Sequence, residues 1–346
     1  IDNATWLKDH FDFFLKQQLI IQHCEETIKA ITNGEGHDVI NNFEYKLREL
    51  KKKIYQTERP VELTEDTSYL NTKEGYFVPL GWGDDFDRTF NFRQGSLAVG
   101  IVPTGVGKTT SAVVTAVHNF LAGKNVLLII FEDDFSDIYK KIYAKLSGHS
   151  INQIKDNYDI VTDIAGSKII EARENGGRLV MVKMSQTKTT TNNIRNTIDY
   201  FEAEYGKLHL LILDYLDCLN SPFDKKYADE YQEQGDVIVD LLELVSDLEY
   251  NIPCLTYMQS GRAGLNKAIV EAGNASGSIK RAFKAPQLFT FSKTINQKSK
   301  MTANVLIEKN RKGESGIWYK DVVFDNTRIT IDISNSNIEL MEEESS

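Results

Sequence analysis

Residues Val99–Ala112 read VGIVPTGVGKTTSA, and the fold class turns on how this stretch is understood. A phosphate-binding loop normally carries a Gly five positions before the Gly that precedes its Lys; here that position is Val102. Mechanism is the better guide than pattern. SLAVGIV reads as a strand and KTTSAVVTAVHNFLAG as a helix with an apolar face and a terminal Gly. Between them, Gly105 and Gly107 let backbone N–H groups turn inward on a phosphate, and the helix N-terminus adds partial positive charge. Val102 then only ends the strand, where a β-branched residue is acceptable. The expected nucleotide contacts are Thr104, Gly105, Val106, Gly107, Lys108, Thr109 and Thr110. Lys108 is placed to reach the β- and γ-phosphates and the Thr109 hydroxyl to ligate Mg²⁺.

Outward from the loop, strands and helices alternate from about Phe77 to Asp332. The strands expected are SLAVGIV, NVLLIIFE, RLVMVKM, LHLLILDYL, IPCLTYMQ, QLFTFSK, ANVLIEKN and KDVVFDNTRITI, with helices following Lys108, Ser136, Thr191 and Tyr231. Short, nearly all-apolar strands belong to a sheet covered on both faces. The fold class is therefore α/β: a P-loop NTPase core with a mostly parallel central sheet flanked by helices. The short turn DNT predicts a terminal antiparallel hairpin. Three regions are expected: a helical N-terminal segment over 1–56, the ATPase domain over 57–332, and an acidic, disordered tail over 333–346. Within the first, NNFEYKLRELKKKIYQ lines up Phe43, Leu47, Leu50 and Ile54 as an apolar stripe, to be buried on its own domain or on a neighbouring subunit.

Composition narrows the class. With 41% apolar and 26% charged residues the 346-residue chain is an ordinary globular one. It holds no apolar run of the ~18 residues a membrane span requires, and its start, IDNATWLKDH, is no signal peptide. Ile1 in place of Met leaves the natural N-terminus open. Cys24, Cys218 and Cys254 are widely spaced, which argues against a zinc site or disulfide framework and fits a reducing, cytoplasmic setting. The net charge of −10 argues at first against nucleic acid, but Ser278–Gly313 carries nine Lys or Arg and one acid, Glu308. That stripe is either a solvated face or a phosphate-backbone contact on an otherwise acidic chain.

Hydrolysis needs an acid for the metal and a group to orient water. LHLLILDYLDCL ends an apolar strand in Asp214, the form of a Walker B aspartate for Mg²⁺. NVLLIIFEDD ends the strand after the loop helix in Glu132, where a carboxylate can orient water; Asp133 and Asp134 fit better as charge opening the next helix.

GVGKTT, a strand ending FED, LLILDYLDCL, IPCLTYMQSGR and EKNRKG, in that order, resemble the RecA-like motor domain of DnaB-type (superfamily 4) hexameric replicative DNA helicases, phage-encoded ones in particular. VPLGWGDDFDRTFNFRQGSLAVGI is similar to that family's approach to the core. The resemblance implies ATP, or another NTP, with Mg²⁺ as cofactors. It implies Glu132 as catalytic base, Asp214 as metal acid, Gln259 as the γ-phosphate sensor, and Lys309 and Arg311 as groups a neighbouring subunit inserts, Arg311 being the arginine finger. Taken alone, Gln259 is a polar residue ending a buried strand, and EKNRKG a basic turn. The resemblance also implies a DNA loop in NASGSIKRAFKAPQ, with Lys280, Arg281 and Lys284 on the backbone and Phe283 either stacking a base or anchoring the loop. It further implies 5′→3′ movement on single-stranded DNA at a fork, a homo-hexameric ring, no membrane partner, and a primase, loader or single-strand-binding protein as associates. If phage-encoded, the protein would work in the host cytoplasm. A RecA- or RadA-type recombinase, a loader or inactive ring scaffold, and a packaging or signalling ATPase are the competing readings.

Overall fold

The computed structural model describes residues 17–18, 20–22, 24–33, 75–221, 230–260, 266–270 and 283–341. Contacts divide the chain into two units, Ile1–Lys73 and Glu74–Ser346. In the first, the described residues 17–18, 20–22 and 24–32 are helical, as expected for that stretch. The lysine-rich helix expected at 41–56, and the boundary placed at 56/57, lie outside the described residues.

The second unit opens with α1 (Asp84–Phe90) and continues β1 (Leu97–Pro103), α2 (Lys108–Leu121), β2 (Asn125–Ile130), α3 (Phe135–Ser147), α4 (Tyr158–Glu174) and β3 (Arg178–Lys183). Then follow α5 (Thr191–Tyr205), β4 (Leu210–Asp214), α6 (Glu230–Val245), β5 (Cys254–Ser260), β6 (Gln287–Ser292), α7 (Ile295–Lys300), β7 (Thr302–Asn310), β8 (Ile317–Asp325), β9 (Thr330–Asp332) and β10 (Asn337–Leu340). The ten strands form one sheet in the order β10-β8-β7-β6-β1-β5-β4-β2-β3, with β9 also on β8. From β6 to β3 every pairing is parallel. Strands β7 to β10 extend it antiparallel. Among the described residues no helix is long and apolar enough to cross a membrane.

Both faces are covered because the apolar strands supply both. Ala98 and Val102, Val126 and Leu128, and Leu210 and Ile212 belong to one core with α2 and α3. Their alternates Val99 and Ile101, Leu127 and Ile129, and Leu211 and Leu213 belong to the other with α5 and α6. Successive side chains point to opposite faces, so an unbroken apolar run is what a two-sided sheet requires. The expected hairpin forms: β8 pairs β9 antiparallel, and Asp325 Oδ1 accepts the amides of Thr327 (2.7 Å) and Arg328 (3.1 Å) to close its turn.

One expectation needs correction, and one element was missed. The tail from residue 333 is structured through Leu340: β10 pairs with the outer edge of β8, Leu340 opposite Ile317. Its acidic residues are compatible with a strand because all four β10 positions are exposed and Glu339 pairs with Lys320. Helix α4 was not anticipated, because among its residues only Val161, Ala165 and Ala172 are buried while Ile160 and Ile170 are exposed. So narrow a stripe gives little helical periodicity.

A chain of rings links α1 to the far end of β8: Trp82 lies 4.9 Å from Phe86 and 5.0 Å from Phe291, which lies 5.0 Å from Phe324. Asp87 pins the segment ahead of it, accepting the amides of Leu80 (2.7 Å) and Gly81 (3.1 Å). Burial pushes the Asp87 carboxyl from 3.8 up to about 6, against those backbone bonds. Since the folded value exceeds the unfolded one, the stability from this group is complete below the unfolded value and is lost as pH rises through the folded one. Asp87→Asn is expected to remove a decline on the order of 2–3 kcal/mol between about pH 4 and 6.5. Urea unfolding of both proteins at the two pH values measures it; equal slopes would refute it.

Candidate nucleotide site

The loop between β1 and α2 sits at the C-terminal edge of the parallel strands, where open α/β sheets place their ligands. Gly105 and Gly107 have φ of 75° and 132°, values that suit glycine. The surroundings separate the two. A Cβ at Gly105 would meet nothing within 4 Å, while one at Gly107 would lie 2.5 Å from Phe324 Cε1 and 2.6 Å from Asn326 Oδ1. Gly105→Ala is therefore expected to carry only backbone strain, about 1–2 kcal/mol. Gly107→Ala should displace the hairpin turn and abolish nucleotide binding, as titration with a fluorescent nucleotide would read.

Helix α2 starts at Lys108, and Ser111 N–H closes its first turn on Gly107 O at 3.0 Å. The amides of Lys108, Thr109 and Thr110 thus stand at the helix N-terminus, the ready anion site. Not every expected contact faces it. The Val106 amide donates to Pro103 O (3.1 Å) and its side chain is buried. The Thr110 hydroxyl donates to Asn326 Oδ1 (2.8 Å), so Thr110 can offer a phosphate only its backbone.

The strand order β1-β5-β4-β2 brings the other residues to the same edge. Val102 lies opposite Gln259, and Ile130 opposite Asp214. Gln259 accepts from Lys108 Nζ (3.2 Å), donates through Nε2 to Thr104 Oγ1 (2.6 Å), and gives its backbone N–H to Asp217 Oδ2 (2.8 Å). Lys108 Nζ also lies 3.5 Å from the Tyr215 ring centroid, and the Tyr215 hydroxyl donates to Glu132 Oε1 (3.1 Å). Burial lowers the lysine's pKa, opposed by the carboxylates of Asp214, Asp217 and Glu132. Burial pushes Asp214 up to about 6, with a Thr109 hydrogen bond and the Lys108 charge pulling the other way. Asp214 Oδ1 is buried without a hydrogen-bond partner. An unsatisfied carboxylate oxygen beside a hydroxyl is the hard-oxygen set that a divalent cation takes, so Thr109 and Asp214 fit a metal ion.

Asp133 and Asp134 open α3 as expected: Asp134 holds its N-cap position, without a side-chain cap bond, and the two carboxylates also pair with Lys141 and Lys183. Sequence reasoning missed three residues that the geometry puts in the site: Tyr215, Asp217 and Asn326. Tyr215 and Asp217 lie in LDYLDCL beside the aspartate already singled out. Asn326, whose Nδ2 also reaches Val106 O (3.4 Å), is more than two hundred residues away, and only the sheet order reveals it.

Lys309 and Arg311 lie elsewhere. Gln287 is opposite both Ala98 of β1 and Asn310 of β7, so the end of β7 is level with the start of β1. The phosphate loop follows Pro103, roughly 16 Å along the strand direction at 3.3 Å per residue. Arg311 is exposed on the turn that follows, its N–H on Pro286 O (3.1 Å). Asn310 secures that turn, donating to Thr89 O (2.9 Å) and accepting from Gln287 (3.1 Å). The Lys309 ammonium donates to its own chain's Phe283 carbonyl, and burial with the like charge of Arg311 lowers its pKa. Lys284 Nζ donates to Gly235 O (3.2 Å). Phe283 is 40% exposed, so it is not a buried anchor. Lys280 and Arg281 lie outside the described residues. Cys218 and Cys254 are buried thiols, as their apolar strands implied.

A glycine-built loop at a helix N-terminus, a strand-end aspartate and a strand-end glutamate on one edge of this sheet define a RecA-like P-loop nucleotide hydrolase core. Residues 84–328 match the DnaB-like helicase C terminal domain family. The chain belongs to that family, and so is a DNA helicase driven by nucleotide. Two solved structures share the fold. A DnaB-like replicative helicase, described with its interactions with primase, aligns at a TM-score of 0.70 and 15% identity, over 96% of this chain and 81% of that one. The second, described as an ATPase domain, aligns at 0.61 and 16% identity, over 77% of this chain and 94% of that one. Among curated protein sequences none matches significantly.

Proposed function

We propose that the chain is the motor subunit of a six-membered ring that hydrolyses ATP between adjacent subunits and moves 5′→3′ on single-stranded DNA, parting a forked duplex by excluding one strand. The observation that carries this is the separation of the two half-sites. Lys108, Thr109, Glu132, Asp214 and Gln259 occupy one edge of the sheet, while Arg311 is held out on a secured turn at the other. Lys108 and the α2 amides would bind the phosphates, and Gln259 would sense the γ-phosphate through its bond to Lys108. Glu132 would orient the attacking water. Mg²⁺, held by Thr109 and Asp214, would neutralise charge developing on the phosphates. Arg311 of the neighbouring subunit would complete that charge stabilisation. Lys309 braces the turn from its own side.

Lys284 lies two residues before Pro286, whose carbonyl accepts the Arg311 N–H; with Lys280 and Arg281, which lie outside the described residues, it would offer charge to a phosphate backbone. Contact with a primase is proposed from the description of the similar helicase, and work in the cytoplasm from the replicative family. Strand displacement on a forked duplex tests the reading. Wild type should unwind only with ATP and Mg²⁺, and Arg311→Ala should not unwind. Hydrolysis stimulated by single-stranded DNA without any displacement would point instead to a recombinase.

A further inference from the structure

Among the described residues, Tyr215 touches both the nucleotide-binding lysine and the strand-end glutamate. Its ring carries the Lys108 ammonium at 3.5 Å, close enough for a cation–π attraction. Its hydroxyl donates to Glu132 Oε1 at 3.1 Å. Its backbone is fixed by position: it follows Asp214 at the end of β4 and leads into a short turn in which Cys218 N–H returns to Tyr215 O (3.3 Å).

Resting on the reading of Glu132 as the group that orients water, we propose that Tyr215 is a positioning residue for hydrolysis. Its hydroxyl fixes one oxygen of the Glu132 carboxylate and leaves the other to the water, while its ring guides Lys108. An exposed glutamate at a strand end otherwise samples several rotamers, and a carboxylate that is not held in place loses the geometric advantage of catalysis. The ring and the hydroxyl can be separated by substitution. Tyr215→Phe keeps the ring beneath Lys108 and loses the bond to Glu132; Tyr215→Leu loses both.

The test is a kcat-against-binding split with a double-mutant cycle. Tyr215→Phe is expected to lower kcat about tenfold, the scale of a hydrogen bond to a charged group, with nucleotide Kd unchanged. Tyr215→Leu should lower kcat as far and weaken nucleotide binding as well. Adding Tyr215→Phe to Glu132→Gln should change nothing further, because the two act as a unit. A Tyr215→Phe enzyme within twofold of wild type, or an undiminished effect in the Glu132→Gln background, would overturn the proposal. If Glu132→Gln alone kept wild-type hydrolysis, the reading of Glu132 would fail instead. Circular dichroism and melting of each variant separate these outcomes from misfolding.

Discussion

Glu132→Gln should bind nucleotide with wild-type affinity and hydrolyse it about 10²–10⁴-fold more slowly, the range that a positioned base contributes. The substitution is close to isosteric. A glutamine oxygen can still accept from the Tyr215 hydroxyl, so the local arrangement survives and only the charge that activates water is lost. Glu132 lies just past the end of β2, one residue beyond Phe131, whose N–H donates to Asp214 O (3.3 Å). It therefore stands beside Asp214 without being part of the phosphate loop, so nucleotide binding should survive its loss. Nucleotide titration with single-turnover hydrolysis measures the two effects separately. Residual hydrolysis within tenfold of wild type would refute the assignment.

Arg311→Ala should reduce hydrolysis by about 10³–10⁵-fold, the contribution of an arginine finger, although its own chain's loop and metal residues are untouched. The stronger test is complementation. Lys108→Ala loses the phosphate contact within its own loop, and Arg311→Ala loses the contact offered to a neighbour. Each alone should be inactive. Mixed in equal amounts before assembly, they should regain activity in about a quarter of the interfaces, where an intact Lys108 faces an intact Arg311. Mixing that restores nothing, with co-assembly confirmed by mass photometry, would place Arg311 outside the reaction.

What was legible in advance depended on how local each signal is. The loop, the strand ends at Glu132 and Asp214, and the parallel sheet are written in contiguous runs whose period differs between strand and helix, so they could be read directly. Asn326 and Phe324 could not, because their closeness to Gly107 arises from packing β8 and its turn against a loop far back in the chain. The thinly buried α4 and the exposed β10 failed for another reason: neither places enough apolar surface in a core to leave a periodic trace. Thr110 shows a subtler limit. A hydroxyl at the start of a phosphate-loop helix fits two roles, and only the position of Asn326 assigns this one to support.

The distance between the Arg311 turn and the phosphate loop has a consequence for assembly. If the phosphate loop and the Arg311 turn are the two halves of one site, as proposed, a subunit that carries them at opposite edges of one sheet cannot complete that site with itself. Head-to-tail contact matches unlike edges, and any open chain of such subunits ends with one unmatched loop and one unmatched arginine. Closure alone leaves no remainder. On this reading hydrolysis per subunit should climb with assembly: low in protomers, intermediate in a head-to-tail pair, which holds one matched site, and highest in the closed ring.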